Sequence, residues 1–332
     1  MAKSLKDIAD ELHLSKTTIS WVLSGQAEKK GLSKRTTERV LKCAHKYNYQ
    51  PNFLARSLNT QRTGMLGLII PDLSDTFYAS LARLTEMEAE KNGYTLMIGS
   101  SEGNYARENN LLDTFRNKLV DGIIIASTQK CTILFDSLAS DGYPVVTIDR
   151  LIPQLPFSSI VLDNRQASYR VVKDMIGKGA KRIALFTTNS YLHEMQERRI
   201  GYEKALQEAG IESQYVLDVP FEEYASNLIP MLENLLSQQP AVDGLFFATH
   251  TLANEVYRYF FQHKISFDAY HFGCIHEEAY YRSVTPSIHV ARMPIEKMAE
   301  EAVRIVSECI ECRIAKKEQP QEHLILEATH NF

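Results

Sequence analysis

The sequence predicts an α/β protein: an all-α N-terminal domain followed by a bilobed body of two doubly wound parallel sheets. Three observations carry this reading. Residues 5–58 read as short helices, and from Met65 onward short apolar runs alternate with amphipathic segments at βαβ spacing. That alternation starts afresh near residue 160, which predicts two similar units in tandem with a cleft between them. The chain has 332 residues, enough for two or three domains, and at 44% hydrophobic and 23% charged it has ample core.

In the first segment, Leu5, Ile8, Ala9 and Leu12 recur at helical spacing, with Lys6, Asp7, Asp10 and Glu11 on the opposite face. His13-Leu14 interrupts the run. Ser15 is a good N-cap for a second helix packed through Ile19, Val22 and Leu23 and closed by Ser24-Gly25. Lys16, Thr17, Ser20 and Trp21 then face outward near the start of that helix. A helix-turn-helix places such residues in a DNA major groove, where short polar side chains meet base edges and lysine reaches guanine acceptors. The alternative is an ordinary αα-hairpin. The neighbours favour the first reading. A third helix opens at Ser33 and runs through Val40, Leu41, Ala44 and Tyr47, and Pro51 then leads a short helix from Phe53 to Leu58. Residues 1–62 hold 12 basic and 5 acidic side chains, whereas the rest hold 25 and 36. A basic head on an acidic body fits a nucleic-acid module joined to something that must not bind DNA.

The body opens with Met65–Ile70, a continuous apolar run of the kind a strand buried on both faces needs. A helix follows through Tyr78, Leu81, Leu84 and Met87. Next come strand Tyr94–Gly99, a helix around Leu111–Phe115, strand Gly122–Ala126, a helix near Ile133–Leu138 and strand Val145–Ile148. After Ile160-Val161-Leu162 the second set comprises helix Arg165–Ile176, strand Ile183–Thr187, helix Glu197–Ala209, strand Tyr215–Val219 and helix Tyr224–Leu236. Strand Gly244–Ala248, helix Leu252–Phe261 and strand Tyr270–Cys274 complete it. Ser287–Val290, a long helix from Pro294 to about Cys312 and a last strand His323–Glu327 end the pattern. Ligands of open α/β sheets bind beyond the carboxyl ends of the strands, so both units point those ends at the cleft. Phe77 and Tyr78 follow the first strand and offer aromatic faces there, or are core of their helix. Asp149 and Arg150 end a strand at the cleft, as effector ligands or as a salt pair bridging the lobes.

Several classes are disfavoured. No apolar run approaches the roughly 20 residues of a membrane span, and no signal-peptide stretch opens the chain, which predicts a cytoplasmic protein. The five cysteines, Cys43, Cys131, Cys274, Cys309 and Cys312, are an odd number. Cys309 and Cys312 form a CxxC without a second ligand pair, so neither a disulfide framework nor a metal site is expected, nor any cofactor. There is no phosphate-cradling Gly loop followed by Lys-Ser/Thr, no nucleophile elbow and no His-Glu-x-x-His, so the chain does not read as an enzyme.

The opening resembles the LacI family of bacterial repressors. The likeness lies in Leu5-Lys6-Asp7-Ile8-Ala9, Ser15, Thr18-Ile19-Ser20, Val22-Leu23 and Asn48-Tyr49-Gln50-Pro51-Asn52, with Ala55, Ser57 and Leu58. Leu12 stands where the family usually has a small residue, a departure a core tolerates; Trp21 stands where it often has arginine, which changes a base or phosphate contact, so the operator sequence is not transferable. Within the family the chain is similar to the fructose-repressor (catabolite repressor/activator) branch. That likeness rests on Ser57-Leu58 with Arg62-Thr63, Gly67–Leu73, Ser100-Ser101-Glu102 and Ile148-Asp149-Arg150.

The resemblance implies a helix-turn-helix domain at 1–50, a hinge helix and linker at 51–63, and a periplasmic-binding-protein-like body at 64–332. Crossings near Asp163, Val290 and Gln321 would give an N-lobe of about 64–162 and 291–320 and a C-lobe of about 163–290 and 321–332. Expected DNA contacts are Ser15, Lys16, Thr17, Thr18, Ser20, Trp21, Lys34, Arg35, Asn52, Ala55 and Leu58, with Leu58 wedged into a minor-groove base step. Expected effector contacts are Phe77, Tyr78, Arg150, Phe247, Cys274 and Arg198, the last matching an arginine that the family turns towards ligand oxygens. His250-Thr251 and Cys274 stand where many relatives carry carboxylate-bearing motifs, which moves the expected effector towards an anion such as a sugar phosphate. The partners implied are double-stranded operator DNA, a small-molecule effector and a second copy of the chain. An exported-type sugar receptor and an α/β metabolic enzyme are the competing readings.

Overall fold

The computed structural model describes residues 3–23, 25–49, 62–130, 133–152, 155–188, 191–212, 215–220 and 223–330. The chain divides into two compact units, Met1–Thr63 and Gly64–Phe332.

The first unit packs three helices, α1 (Leu5–Leu12), α2 (Lys16–Leu23) and α3 (Lys34–Lys46). Ser4 and Asp7 form a reciprocal capping box at the start of α1, and His13 turns left-handed to end it. Ser15 accepts from the Thr18 amide at 3.0 Å and Ser33 from the Thr36 amide at 3.2 Å, so each later helix starts where its serine is. Ile8, Ala9, Ile19, Val22, Ala27, Val40 and Cys43 are the buried core of this unit.

The second unit is built on two sheets. Among the described residues the first runs in the order β11-β5-β4-β3-β1-β2: β1 is Met65–Ile70, β2 Thr95–Ser100, β3 Gly122–Ile125, β4 Val145–Ile148, β5 Ser158–Leu162 and β11 His323–Leu326. The other runs β12-β10-β9-β8-β6-β7: β6 is Ile183–Thr187, β7 Tyr215–Asp218, β8 Gly244–Phe247, β9 His271–Ile275, β10 His289–Arg292 and β12 Thr329–His330. Every pairing is parallel except β10 with β12. In both sheets the order reverses beside the first strand, which is where doubly wound folds bind ligands. The connecting helices are α4 (Thr76–Lys91), α5 (Tyr105–Asn117), α6 (Ile133–Ser140), α7 (Asn164–Gly177), α8 (His193–Glu208), α9 (Tyr224–Ser237), α10 (His250–His263), α11 (Tyr281–Val284) and α12 (Ile295–Ile314). Helices α7 and α8 touch backbone to backbone at Gly201, where an added Cβ would stand 2.2 Å from the Arg165 carbonyl oxygen.

Two expected lobe boundaries need correction. β11 belongs to the first sheet, paired with β5 through Leu324–Ile160 and Leu326–Leu162, so the third crossing falls between Leu326 and Thr329 rather than near Gln321. The reason is burial: Leu324 and Leu326 pack against the main core while His323 and Ile325 are exposed, the alternation of an edge strand. Alternation marks a strand without naming its partner. The second crossing follows Arg292, because β10 pairs with β9 up to Ala291–Ile275 and continues to Arg292.

Candidate functional site

In the helical unit, Lys16, Thr17 and Ser20 are exposed on α2, and Thr18 and Trp21 are half-buried. The exposed Ser15 hydroxyl caps the helix and also meets the Thr18 hydroxyl at 2.8 Å. The Lys30 ammonium lies 5.5 Å from the centre of the Trp21 ring, which places a cation beside the aromatic face. Lys34 and Arg35 are exposed at the start of α3. None of Lys16, Lys34 and Arg35 forms an ion pair among the described residues, whereas Lys3 and Lys46 both pair with Glu11. Hydrogen bonding from Lys3, with Tyr47 and Lys46 behind it, holds the Glu11 carboxyl down at about 2. Asn52, Ala55 and Leu58 lie outside the described residues.

The second site is a cleft of about 190 Å³ between the lobes. Four of the expected effector residues, Phe77, Tyr78, Arg150 and Arg198, line it. Two do not. Phe247 is fully buried in the C-lobe core, 4.8 Å from the Phe186 ring, because β8 is covered on both faces and neither of its phenylalanines is free to face the cleft. Cys274 is fully buried too, in the same core cluster; burial pushes its thiol up and its sulfur faces the Ile275 carbonyl oxygen. The residue that reaches the cleft from this end of β9 is Ile275.

On the N-lobe wall, Asp75 caps α4 by accepting from the Phe77 and Tyr78 amides at 3.0 and 3.3 Å. The Tyr78 hydroxyl donates to Asp149 at 2.6 Å. Buried Glu108 accepts from Ser127, the Thr128 amide and the Thr128 hydroxyl, which sets the loop that carries Gln129. Gln129 then bridges to the C-lobe, donating to both Glu194 oxygens at 2.7 and 2.8 Å, and the Leu151 amide donates to Glu194 at 2.9 Å. Burial, followed by the charge of Asp149, raises the Glu194 carboxyl above its ordinary range. A second set of interlobe contacts joins Thr76 to Glu278 at 2.5 Å and the His250 imidazole to Asp75 at 3.2 Å.

The C-lobe wall holds Arg198, 95% buried, which donates to the Asn164 side chain at 2.7 Å and the Ala248 carbonyl at 2.6 Å. Burial lowers its pKa despite Asp149 and Glu194 nearby. For Arg150 the same opposition ends the other way, and Tyr78, Asp149 and Glu194 raise it. Arg150 makes no ion pair among the described residues and donates to the Ser127 carbonyl at 3.3 Å, so of the two readings left open for it the lobe-bridging salt pair is not formed. Sequence reasoning missed Asp75, Glu194, His250, His276, Thr188 and Thr249, all of which line the cleft. Carboxylates are therefore present here, brought from positions other than the two at which they were sought.

The helical unit and the body both match known families. Residues 4–52 match the model of bacterial regulatory proteins of the lacI family, and residues 63–258 match periplasmic binding proteins and the sugar binding domain of the LacI family. The chain belongs to the LacI family. Its LacI-family relatives include the catabolite control protein A of Priestia megaterium, 30% identical over 76% of each chain. The fructose operon regulatory protein of Vibrio cholerae is 28% identical over 63% of this chain; that alignment spans 64% of the relative's length, just under two thirds. In fold, the body is similar to the Cra transcriptional dual regulator of Pseudomonas putida in complex with fructose 1-phosphate. The TM-score is 0.70 at 23% identity, over 81% of this chain and 98% of that one. No helix among the described residues is long and apolar enough to cross a membrane.

Proposed function

We propose that this LacI-family chain is a cytoplasmic, non-enzymatic transcription regulator that binds a palindromic operator as a homodimer and responds to a small carbohydrate-related effector held between its lobes. The observation that supports it most is the exposure of Lys16, Thr17 and Ser20 on α2 and of Lys34 and Arg35 at the start of α3, the three basic ones without an ion pair among the described residues. One helix-turn-helix reads only a few base pairs, so two-fold pairing multiplies the contacts. An apolar patch on the C-lobe supports pairing: Phe261 is 78% exposed, with Tyr280 and Val284 beside it around a shallow groove. A stable tetramer at micromolar concentration would count against the dimer.

Effector in the cleft changes the angle between the lobes. Coupling of this kind amounts to about 1–3 kcal/mol, several-fold to about a hundredfold in operator affinity. We favour an inducer, which releases DNA. The test is salt-dependent retention of the full chain on duplex DNA carrying operators selected from a random pool. Replacing Lys34 or Arg35 by alanine should weaken binding to all sequences and flatten the salt dependence by about one unit of slope each. Replacing Thr17 should change which bases are preferred. Retention indifferent to both would overturn the proposal.

A further inference from the structure

Trp21 is the chain's single tryptophan, and a cation lies over its ring. That cation is the Lys30 ammonium, 5.5 Å from the ring centre and carried by the turn between α2 and α3. The turn is built to bring the two together. The Gln26 amide donates to the Trp21 carbonyl at 2.8 Å, and the Lys30 amide to the Gln26 carbonyl at 3.0 Å. The Leu32 amide donates at 2.9 Å to the carbonyl of Ala27, a buried core residue of the helical unit. Gly25 and Gly31, at φ of 73° and 69°, supply the left-handed corners that such a turn requires. The backbone of Lys30 is thereby fixed relative to the indole.

The charges around this pair leave it available. Lys29, Lys30, Lys34 and Arg35 are four exposed basic side chains within seven residues, and Glu28 is the one acidic residue between Gly25 and Arg35. Among the described residues the ion pairs of this unit join Lys3 and Lys46 to Glu11, and none involves the turn. Trp21 itself is half-buried and sixth of the eight residues of α2, about one helical turn beyond Thr17. Residues that reach base edges sit at the N-terminal end of such a helix. An indole brings no charge and a single donor, so it is poorly equipped to tell bases apart. Its ring face, by contrast, attracts an ammonium and restricts a lysine stem that otherwise turns freely. We infer that Trp21 is a positioning residue whose ring holds the Lys30 ammonium for a phosphate of the operator backbone, so that the pair grips DNA without reading its sequence. This rests on the operator-binding reading above and names the partner of one contact within it.

The test uses the full chain and an operator selected from a random pool, titrated at several salt concentrations. Lys30→Ala should lower the slope of log affinity against log salt by about one unit and leave the selected sequence unchanged. Trp21→Leu keeps bulk and helix propensity but has no ring face, and it should weaken operator binding by about two- to fivefold. In the Lys30→Ala background the same change should cost almost nothing, and Trp21→Phe should restore most of the lost affinity. Because no other tryptophan contributes, emission from the free chain should also change on Lys30→Ala. Different preferred bases for Trp21→Leu in a fresh selection overturn the positioning role, as does an equal loss with and without Lys30. Unchanged emission removes the contact itself. Should Trp21→Leu not fold, a fresh selection on Trp21→Phe decides: the same sequence supports positioning and an altered one overturns it. A parent that binds operator while the two losses add loses the positioning role alone, whereas a parent that binds no operator removes the regulatory reading beneath it.

Discussion

The two walls of the cleft are built on the same strand order and treat their polar groups in opposite ways. On the N-lobe wall Asp75 caps its helix and Asp149 is held by Tyr78, and in the same lobe the buried Glu108 takes three donors from one loop. On the C-lobe wall two threonine hydroxyls and His276 Nδ1 have no partner among the described residues, and the N-cap Thr249 makes no side-chain capping bond to α10. A satisfied wall keeps its shape without help. A wall with unpartnered polar groups still has hydrogen-bonding capacity to offer. Backbone strain, by contrast, is shared: Asp149 and His276 each follow the fourth strand of their sheet and adopt φ of 63° and 66°. Positive φ at a non-glycine residue has to be paid for by its surroundings, and here it marks equivalent corners of one site.

The largest effect should come from the support behind the C-lobe wall. Gly201→Ala forces a Cβ into the Arg165 carbonyl and pushes α8, with Arg198 on it, away from α7; we expect a loss of about 3 kcal/mol or more in denaturant unfolding of the body. A variant as stable as the parent would show that the helices are not pinned there. On the satisfied wall, Glu108→Ala strands the Ser127 and Thr128 donors and should cost about 2–3 kcal/mol. The C-lobe threonines should behave with the opposite sign. Thr188→Val/Thr249→Val removes hydroxyls that have nothing to lose, so without ligand the melting temperature should stay level or rise, by no more than about 1 kcal/mol of stability. If Glu108→Ala and the threonine pair destabilise alike, the contrast between the walls is wrong.

Acid response separates the walls more finely. Burial, then the neighbouring His250, pulls the His276 imidazole from 6.5 down to about 4. The unfolded chain therefore takes up this proton first, and the body should lose stability as pH falls from about 6.5 towards about 4. In His276→Asn that slope should flatten, as read from denaturant titrations across the range. Asp75 is lowered too, but by its partners and against its burial. Burial raises its carboxyl, but His250 and the α4 amides outweigh that and leave it lowered. Its contribution is in place above the ordinary carboxylate range and is lost only as pH falls through the lowered value. His250→Ala should move that loss to higher pH, and an unmoved Asp75 titration in carbon-13 NMR spectra would contradict the pairing.

The alternation of apolar runs with helical segments made the two lobes legible, because a parallel strand buried on both faces reads as a block of Ile, Leu and Val. The helix starts at Ser15 and Ser33 were legible because N-caps are local chemistry. The corner at Phe77 and Tyr78 could be placed from its position after a strand. Phe247 and Cys274 could not, since a strand covered on both faces leaves no period to tell cleft from core. Glu108 and Glu194 escaped because their partners come from 20 and 65 residues away. Thr188 and Thr249 carry no sequence signal of their own. Among the described residues several buried hydroxyls lack a partner; what singles these two out is that they also line the cleft, a property of the folded chain alone.

The late step from β11 to β12 has a mechanical consequence. Only Glu327 and Ala328 lie between a strand of one sheet and a strand of the other. Leu326 and Thr329 are three Cα steps apart and stay within about 11 Å even when stretched, so the sheets cannot draw far apart at this edge. Any turn of one lobe against the other would have to keep this short link intact, and widening the cleft would have to break the Thr76–Glu278 hydrogen bond.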